Sequence, residues 1–469
     1  MSTNYKIHLF IIAIMIGCGL AIFVLKVTSA SGLISPPTWS LEGKKPGQAS
    51  IVGDSPNSSF GETMAVGDVN GDGFDDFIAS APFYSEIIQA GGEIYVVPGP
   101  LSFNEAYTMP QNTALVVQGT SDSQPQIGRY LDAGDMNGDG IDDIIFGSWT
   151  QGKAYVYLGS PVIQANTPQI VAASSENMAL TIYPASDGLE LCDFNGDGLQ
   201  DLFVEQFSFE KGLRVWGVLG RPTLTMTQHT TFTMPEDANI SIQGFHPTMW
   251  AAPVNKNLAC GDIDGDGYQD LAIGVFGDSP KNRQYAGIVY LARGDPDITF
   301  NNPVTITMPD QAGAIIEGVD GRLGTAGDQL GSSIAIDDIN RDGRADLILG
   351  APGASGPDNI IQYAGEVYLW PGQALTGQRF IISSQALWTI YGEKTYAGLG
   401  WAITTGDFDN DKFSEILLGC TSCVTGIPPF YLSGRGYVIE PLQFTGMVTV
   451  TAVSQLDVIP YKDSRCLGL

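Results

Sequence analysis

Residues 67–82 read GDVNGDGFDDFIASAP and set Asp68, Asn70, Asp72 and Asp76 into one short run, with Gly71 and Gly73 between them. Oxygen-bearing side chains at positions 1, 3, 5 and 9 of a loop, with a main-chain carbonyl at position 7 (here Phe74), make the donor set that a hard cation such as Ca²⁺ takes. Without a cation these carboxylates repel one another. The spacing therefore points to ion binding, and glycine at position 6 supplies the sharp turn with positive φ.

The pattern recurs five more times, with first ligands at 68, 135, 193, 262, 338 and 407, between 58 and 76 residues apart. The second copy offers Asp135, Asn137, Asp139, the Ile141 carbonyl and Asp143; the third Asp193, Asn195, Asp197, the Leu199 carbonyl and Asp201. The fourth offers Asp262, Asp264, Asp266, the Tyr268 carbonyl and Asp270; the fifth Asp338, Asn340, Asp342, the Arg344 carbonyl and Asp346. The sixth has Asp407, Asp409, Asp411, the Phe413 carbonyl and Glu415, with Lys412 where the others carry glycine. One such cluster reads equally well as a solvated turn; six with one spacing predict up to six Ca²⁺ ions. Arg341 and Arg344 make the fifth copy irregular, and Lys412 predicts the most strained backbone in the sixth.

An EF-hand is excluded by context, since that loop ends on a Glu at position 12 and joins two helices. Here each loop runs into a short apolar stretch (FIASAP, IIFG, LAIG, LILG), as a buried strand does. Before the loop stands another strand; after it comes one ending at glycine (GGEIYVVPG, GKAYVYLG, AGIVYLARG, AGEVYLWPG), then a fourth (ALVVQG, ALTIYP, ISIQG, AIIEG, LWTIYG). Four strands per repeat predict an all-β fold, a β-propeller of four-stranded blades.

The charge agrees with cation binding. The 469 residues carry 51 Asp+Glu against 22 Lys+Arg, a net charge of -29, which excludes nucleic acid as a partner because phosphate contacts need clustered Lys and Arg. Hydrophobic residues at 43% suffice for a packed core.

The F-G of SSFGE, the Gly350-Ala351-Pro352 that follows the fifth loop, and the D-x-N-x-D-G-x-x-D loop itself resemble FG-GAP repeats, which build the N-terminal propeller of integrin α subunits. The resemblance spans nearly everything from residue 48 to the end. It implies calcium hairpins on one face and a protein or glycan partner on the opposite one, among loops carrying Phe83, Tyr84, Trp250, Phe276, Tyr285, Tyr363, Tyr396, Phe430 and Tyr431. The repeated QYAG at 284–287 and 362–365 favours a structural role for Tyr285 and Tyr363. The chain departs from integrins in having a calcium-type loop in every repeat. Integrin legs and a C-terminal span are not seen, so an integrin-type heterodimer is not expected.

Residues 1–30 read as a signal peptide or, if uncleaved, an N-terminal membrane anchor: Lys6 precedes the apolar Leu9–Leu25, and Thr28-Ser29-Ala30 offers a cleavage site. Residues 31–47 are a linker and 48–469 the propeller, with six complete repeats and part of a seventh. ASIVGD (49–54) looks like a fourth strand without its first three, and DSRCLGL (463–469) like the start of a further repeat. Beyond Cys18 there are five cysteines, too few for a disulfide scaffold; Cys420 and Cys423 (GCTSC) are expected to form a local disulfide, while Cys192, Cys260 and Cys466 are left unassigned. Asn57 and Asn239 lie in glycosylation sequons.

Catalysis gains little support. His8, His229 and His246 are the only histidines, and no H-E-x-x-H, G-x-S-x-G or phosphate-binding loop occurs. The zinc-ligand cluster of the phospholipases that carry such repeats is missing. The expectation is a secreted or cell-surface, calcium-binding recognition module acting in adhesion and not an enzyme; the alternatives are a lectin-like glycan-binding propeller or the non-catalytic part of a secreted hydrolase.

Overall fold

The computed structural model describes residues 58–420 apart from 59, 84–90, 101–105, 121–125, 165–167, 175, 186–187, 209, 246–256, 321–326, 357–358, 393 and 407–413. Outside that range it describes the backbone of a few strands, among them the paired His8–Ile14 and Ala21–Val27. No helix among the described residues is long and apolar enough to cross a membrane. The sixth loop (407–413), the Cys420–Cys423 pairing, Cys466, His246, Asn57 and four of the partner-face aromatics (Tyr84, Trp250, Phe430, Tyr431) lie outside what is described.

The fold is all-β, with short 3-10 turns such as Pro280–Asn282. Six sheets follow one another along the chain. Sheet 1 runs antiparallel through Met64–Gly67, Asp76–Ala81, Glu93–Val97 and Leu115–Gly119. Sheet 2 takes Ile127–Gly134, Asp143–Ser148, Lys153–Tyr157 and Leu180–Tyr183; sheet 3 takes Gly188–Cys192, Asp201–Ser208, Gly212–Val218 and Ile240–Gln243. Sheet 4 takes Leu258–Gly261, Asp270–Val275, Ile288–Ala292 and Ala314–Glu317. Sheet 5 takes Ile334–Asp337, Asp346–Ala351, Glu366–Trp370 and Trp388–Tyr391, and sheet 6 Ala402–Gly406, Glu415–Cys420, Arg435–Ile439 and Gln455–Leu456.

The second strands of sheets 1, 2, 4 and 5 are buried throughout, because a sheet covers them on either side; in sheet 3 only the end of Asp201–Ser208 is half-buried. The cores therefore lie between sheets. One unites Ile145 and Val156 of sheet 2 with Leu191, Val204 and Trp216 of sheet 3, and another joins Phe203 of sheet 3 to Leu271 and Tyr290 of sheet 4. The first strand of every sheet lies beside the first strand of the next.

Sheets 1 to 5 each hold a fifth strand that the four-strand reading did not anticipate. It comes from the stretch between the third and fourth strands of the following sheet and pairs in parallel with the fourth. Gln169–Ala173 joins Leu115–Gly119, Thr230–Thr233 joins Leu180–Tyr183, and Val304–Thr307 joins Ile240–Gln243. Gln378–Ile381 and Gly446–Thr449 do the same for sheets 4 and 5. Ser50–Val52 pairs in parallel with Ala106–Thr108, the relation every other fourth strand has to its fifth.

One disulfide, Cys192–Cys260, links the first strands of sheets 3 and 4, with Cα atoms 5.7 Å apart. Asn239 is buried, and its carbonyl oxygen accepts the Leu219 N–H at 3.1 Å, so its amide is not presented to solvent as a glycosylation acceptor would be.

Candidate metal centres

The loops between first and second strands share one geometry in all five described copies. Asp68 at position 1 turns back into its own loop, where Oδ1 accepts the Gly71 and Asp72 N–H groups at 2.7 and 3.0 Å and Oδ2 that of Gly73 at 2.8 Å. Asp262 repeats the clasp on Gly265, Asp266 and Gly267, and Asp338 on Asp342 and Gly343. Asp135 and Asp193 accept the position-6 N–H in the same way, from Gly140 and Gly198. Position 5 accepts the position-7 N–H at 3.0 Å in every described copy.

Two glycines make this turn possible. Positions 4 and 6 both have positive φ, for example 72° and 86° at Gly71 and Gly73. The sequence reading assigned that need to position 6 alone. In the fifth loop Arg341 occupies position 4 with φ 63°, in the left-handed region that costs a side-chain-bearing residue about 1–2 kcal/mol.

Position 9 is the first residue of the second strand and is buried in every described loop. Asp143 accepts the N–H of Gly159 and of Met136, both at 3.0 Å; Asp201 accepts from Gly220 and Phe194, and Asp270 from Gly294 and Ile263. The residue two past the third strand is glycine in each set, because a Cβ there would strike the position-8 carbonyl: 2.2 Å from Asp142 O at Gly159 and 2.5 Å from Gln269 O at Gly294. Burial outweighs these hydrogen bonds and lifts the carboxyl of Asp143, Asp201 and Asp270 to about 7, and that of Asp76 and Asp346 to about 6. Neighbouring loop carboxylates add to the rise. A cation delivered here would reverse it.

The oxygens left over show where such a cation fits. Asp76 Oδ2, Asp193 Oδ1, Asp264 Oδ1 and Asn340 Oδ1 are buried without a hydrogen-bond partner, one in each of the first, third, fourth and fifth loops. The Asp264 side chain is only 4% exposed, so water does not compensate its orphan oxygen. In that loop Asp262, Asp264 and Asp270 each bring an oxygen within 4.8 Å of the others. An all-oxygen set of this kind accepts a hard divalent cation. The fourth loop also has an internal competitor: Arg293, the residue before Gly294, places Nε 3.0 Å from Asp264 Oδ2 and Nη2 2.8 Å from Asp266 Oδ2.

Of the sixth set only Glu415 lies among the described residues, buried at the head of its strand. At the opposite ends of the sheets, Tyr363 and Tyr396 stack with ring centroids 5.3 Å apart, and Tyr396 is 60% exposed. Tyr285, Tyr363 and Tyr396 share positive φ, and Phe83 and Phe276 are half-buried. His229 bonds the Met178 carbonyl and the Thr231 hydroxyl on a fifth strand and is spent on structure.

Comparison with known proteins identifies FG-GAP repeats in the chain. The FG-GAP repeat model matches residues 60–97, 257–291 and 330–370, and an FG-GAP-like repeat model matches 135–204. Phosphatidylinositol-glycan-specific phospholipase D of Rattus norvegicus is 31% identical over 161 residues, 34% of this chain and 18% of that protein. The Bos taurus enzyme of the same name is 32% identical over 185 residues, covering 38% and 20%. Integrin alpha-7 of Rattus norvegicus is 29% identical over 212 residues, covering 44% and 16%. The aligned stretches thus span a fifth or less of each relative's length.

Proposed function

Starting from the FG-GAP repeats that this chain carries, we propose that it is an exported β-propeller whose strand-joining loops bind Ca²⁺ and whose opposite face recognises a partner protein in adhesion. The six sheets are then its blades, and the side-by-side first strands line its axis. The observation that carries the calcium assignment is the recurrence of one buried, unpartnered ligand oxygen in four separate loops of identical spacing. Export is supported by the apolar leader and by the Cys192–Cys260 disulfide, which an oxidising compartment would preserve. Calcium acts as scaffold: at extracellular affinities near 10⁻⁴–10⁻³ M, millimolar calcium contributes roughly 0.4–1.4 kcal/mol per site.

Recognition belongs on the other face because the calcium loops are committed to structure, whereas the loops at the opposite ends of the sheets, between second and third strands and between sheets, carry exposed aromatics such as Trp149 and Tyr396 that suit partner anchoring. The stack of exposed Tyr396 on half-buried Tyr363 also favours a glycan as the partner, the second reading. Resemblance to part of a phospholipase D leaves open a third, in which these repeats serve a hydrolase that they do not themselves power.

Calorimetric titration of the full chain with calcium, paired with thermal unfolding, tests the first half of the proposal. Five or six sites and a melting temperature that climbs with calcium are expected; no heat and no shift would sink it. A glycan array read beside binding to immobilised matrix proteins, each with Tyr396→Ala as control, separates the two partner classes.

A further inference from the structure

Consecutive loops are tied together, and the tie always reaches the first ligand. Position 8 of the second loop, Asp142, donates its N–H to the Asp68 carbonyl at 3.0 Å, and its Oδ2 accepts the Asp68 N–H at 2.9 Å. Gln200, position 8 of the third loop, donates to the Asp135 carbonyl at 3.0 Å, and Ala345 of the fifth to that of Asp262 at 2.9 Å. Between the third and fourth loops a side chain replaces the main-chain contact: Gln269 Oε1 accepts the Asp193 N–H at 2.8 Å. A second strut braces position 2, as Ser160, Arg221 and Asp295 donate to the carbonyls of Val69, Met136 and Phe194. Four successive junctions thus clamp residue 1 of one loop with residue 8 of the next.

Residue 8 adjoins the position-9 ligand on the chain, so whatever fixes position 9 also fixes the clamp. We propose that calcium loads these loops with positive cooperativity, because the ion in each loop locks the residue-8 clamp that holds the first ligand of the loop before it. The proposal rests on the calcium reading above and deepens it. Residue 8 is a positioning residue here: it acts on the metal only through its neighbour's Asp. The competing influence has the opposite sign, since a bound cation repels the next one. Solvent and salt screen that repulsion at exposed loops, whereas hydrogen bonds are contact interactions and survive. A Hill coefficient above one then reports contact coupling between the loops, and the Gln269 variant assigns it to the clamp.

The measurement is hydrogen exchange of the full chain across a calcium titration, read separately on peptides covering residues 192–201 and 261–274. Gln269→Ala removes one clamp without changing charge or any ligand. It should weaken the calcium midpoint of the third loop by about two- to ten-fold, the span of one ordinary hydrogen bond, while the fourth loop keeps its own. Asp264→Asn with Asp266→Asn, which disables the fourth loop, should weaken the untouched third loop in the same direction. Exchange protection of the buried second strand of sheet 1, Asp76–Ala81, reports in each variant that the fold persists. A third-loop midpoint that is unchanged or tightened in both variants overturns the coupling with calcium binding intact. If wild type shows no calcium protection in any loop, the coupling falls together with the calcium reading.

Discussion

Cutting the Cys192–Cys260 bond should loosen two sheets and spare the others. The bond closes a loop of 68 residues that contains the second, third and fourth strands of sheet 3 and the fifth strand of sheet 2. By chain entropy, opening a loop of that length returns about 4 kcal/mol of freedom to the unfolded state. The native state gives up little in exchange, because the first strands of sheets 3 and 4 lie side by side with or without the bond. Cys192→Ala with Cys260→Ala should therefore lower stability by about 4 kcal/mol, plus a smaller packing loss for the fully buried Cys192. In an array where each unit touches mainly its neighbours, that loss stays local. Hydrogen exchange in rising urea, read by region, is the assay. Protection should fall over residues 188–218, 240–243 and 258–292 and hold over sheets 1 and 2, and the double variant should not respond further to reductant in that region. A loss below about 1 kcal/mol in sheets 3 and 4 would refute the reasoning, and would mean that their shared core already sets the loop closure.

Three further outcomes follow from single side chains. Arg293→Ala should tighten calcium at the fourth loop about two- to five-fold, because a half-exposed, screened ion pair of about 0.5–1 kcal/mol no longer competes; unchanged or weaker binding by calorimetry would count against Arg293 as competitor. Arg341→Gly should stabilise the chain by about 1 kcal/mol in thermal unfolding by relieving a left-handed arginine, and a destabilised variant would show that its side chain is worth more than the strain. Asp328 is buried and its carboxyl is pushed up to about 7, burial being the main cause, against an ordinary 3.8. A carboxyl raised in the folded state costs stability when it ionises, so its penalty is absent below pH 4, grows through pH 4–7 and is complete above. At about 1.4 kcal/mol per pH unit the span is at most about 4 kcal/mol. Asp328→Asn should therefore gain on wild type as pH rises from 4 to 8, and parallel profiles would contradict this.

The loops and the four main strands of each sheet could be read from spacing and apolar runs because both signals repeat in register. The fifth strand escaped because TTFT and VTIT are short, half-exposed edges whose alternation is too brief to register. A signal was nonetheless present: Thr-Met-Pro recurs at 108–110, 233–235 and 307–309, and in each case the Met is buried where the swapped strand ends. The disulfide was equally within reach. Cys192 and Cys260 stand one and two residues ahead of the first ligands Asp193 and Asp262, at matching levels of neighbouring strands. Position 8 gave no warning, because Asp, Gln and Ala all serve there through the main chain or different side-chain atoms.

The borrowed fifth strand also constrains how such a chain can change length. A sheet is completed by residues that belong, in sequence, to its successor, so the structural unit and the genetic unit are out of phase. Removing one repeat at the sheet boundaries takes the fifth strand from the sheet before but leaves the removed sheet's own fifth strand in the sheet after, where it can serve in its place. Duplication or loss is clean only when the breakpoints fall at equivalent places in two repeats, so that a like strand is handed back to each donor. Gain or loss of a whole repeat by unequal exchange is compatible with this wiring; excision of one sheet together with its borrowed fifth strand is not, because the sheet before would lose its own.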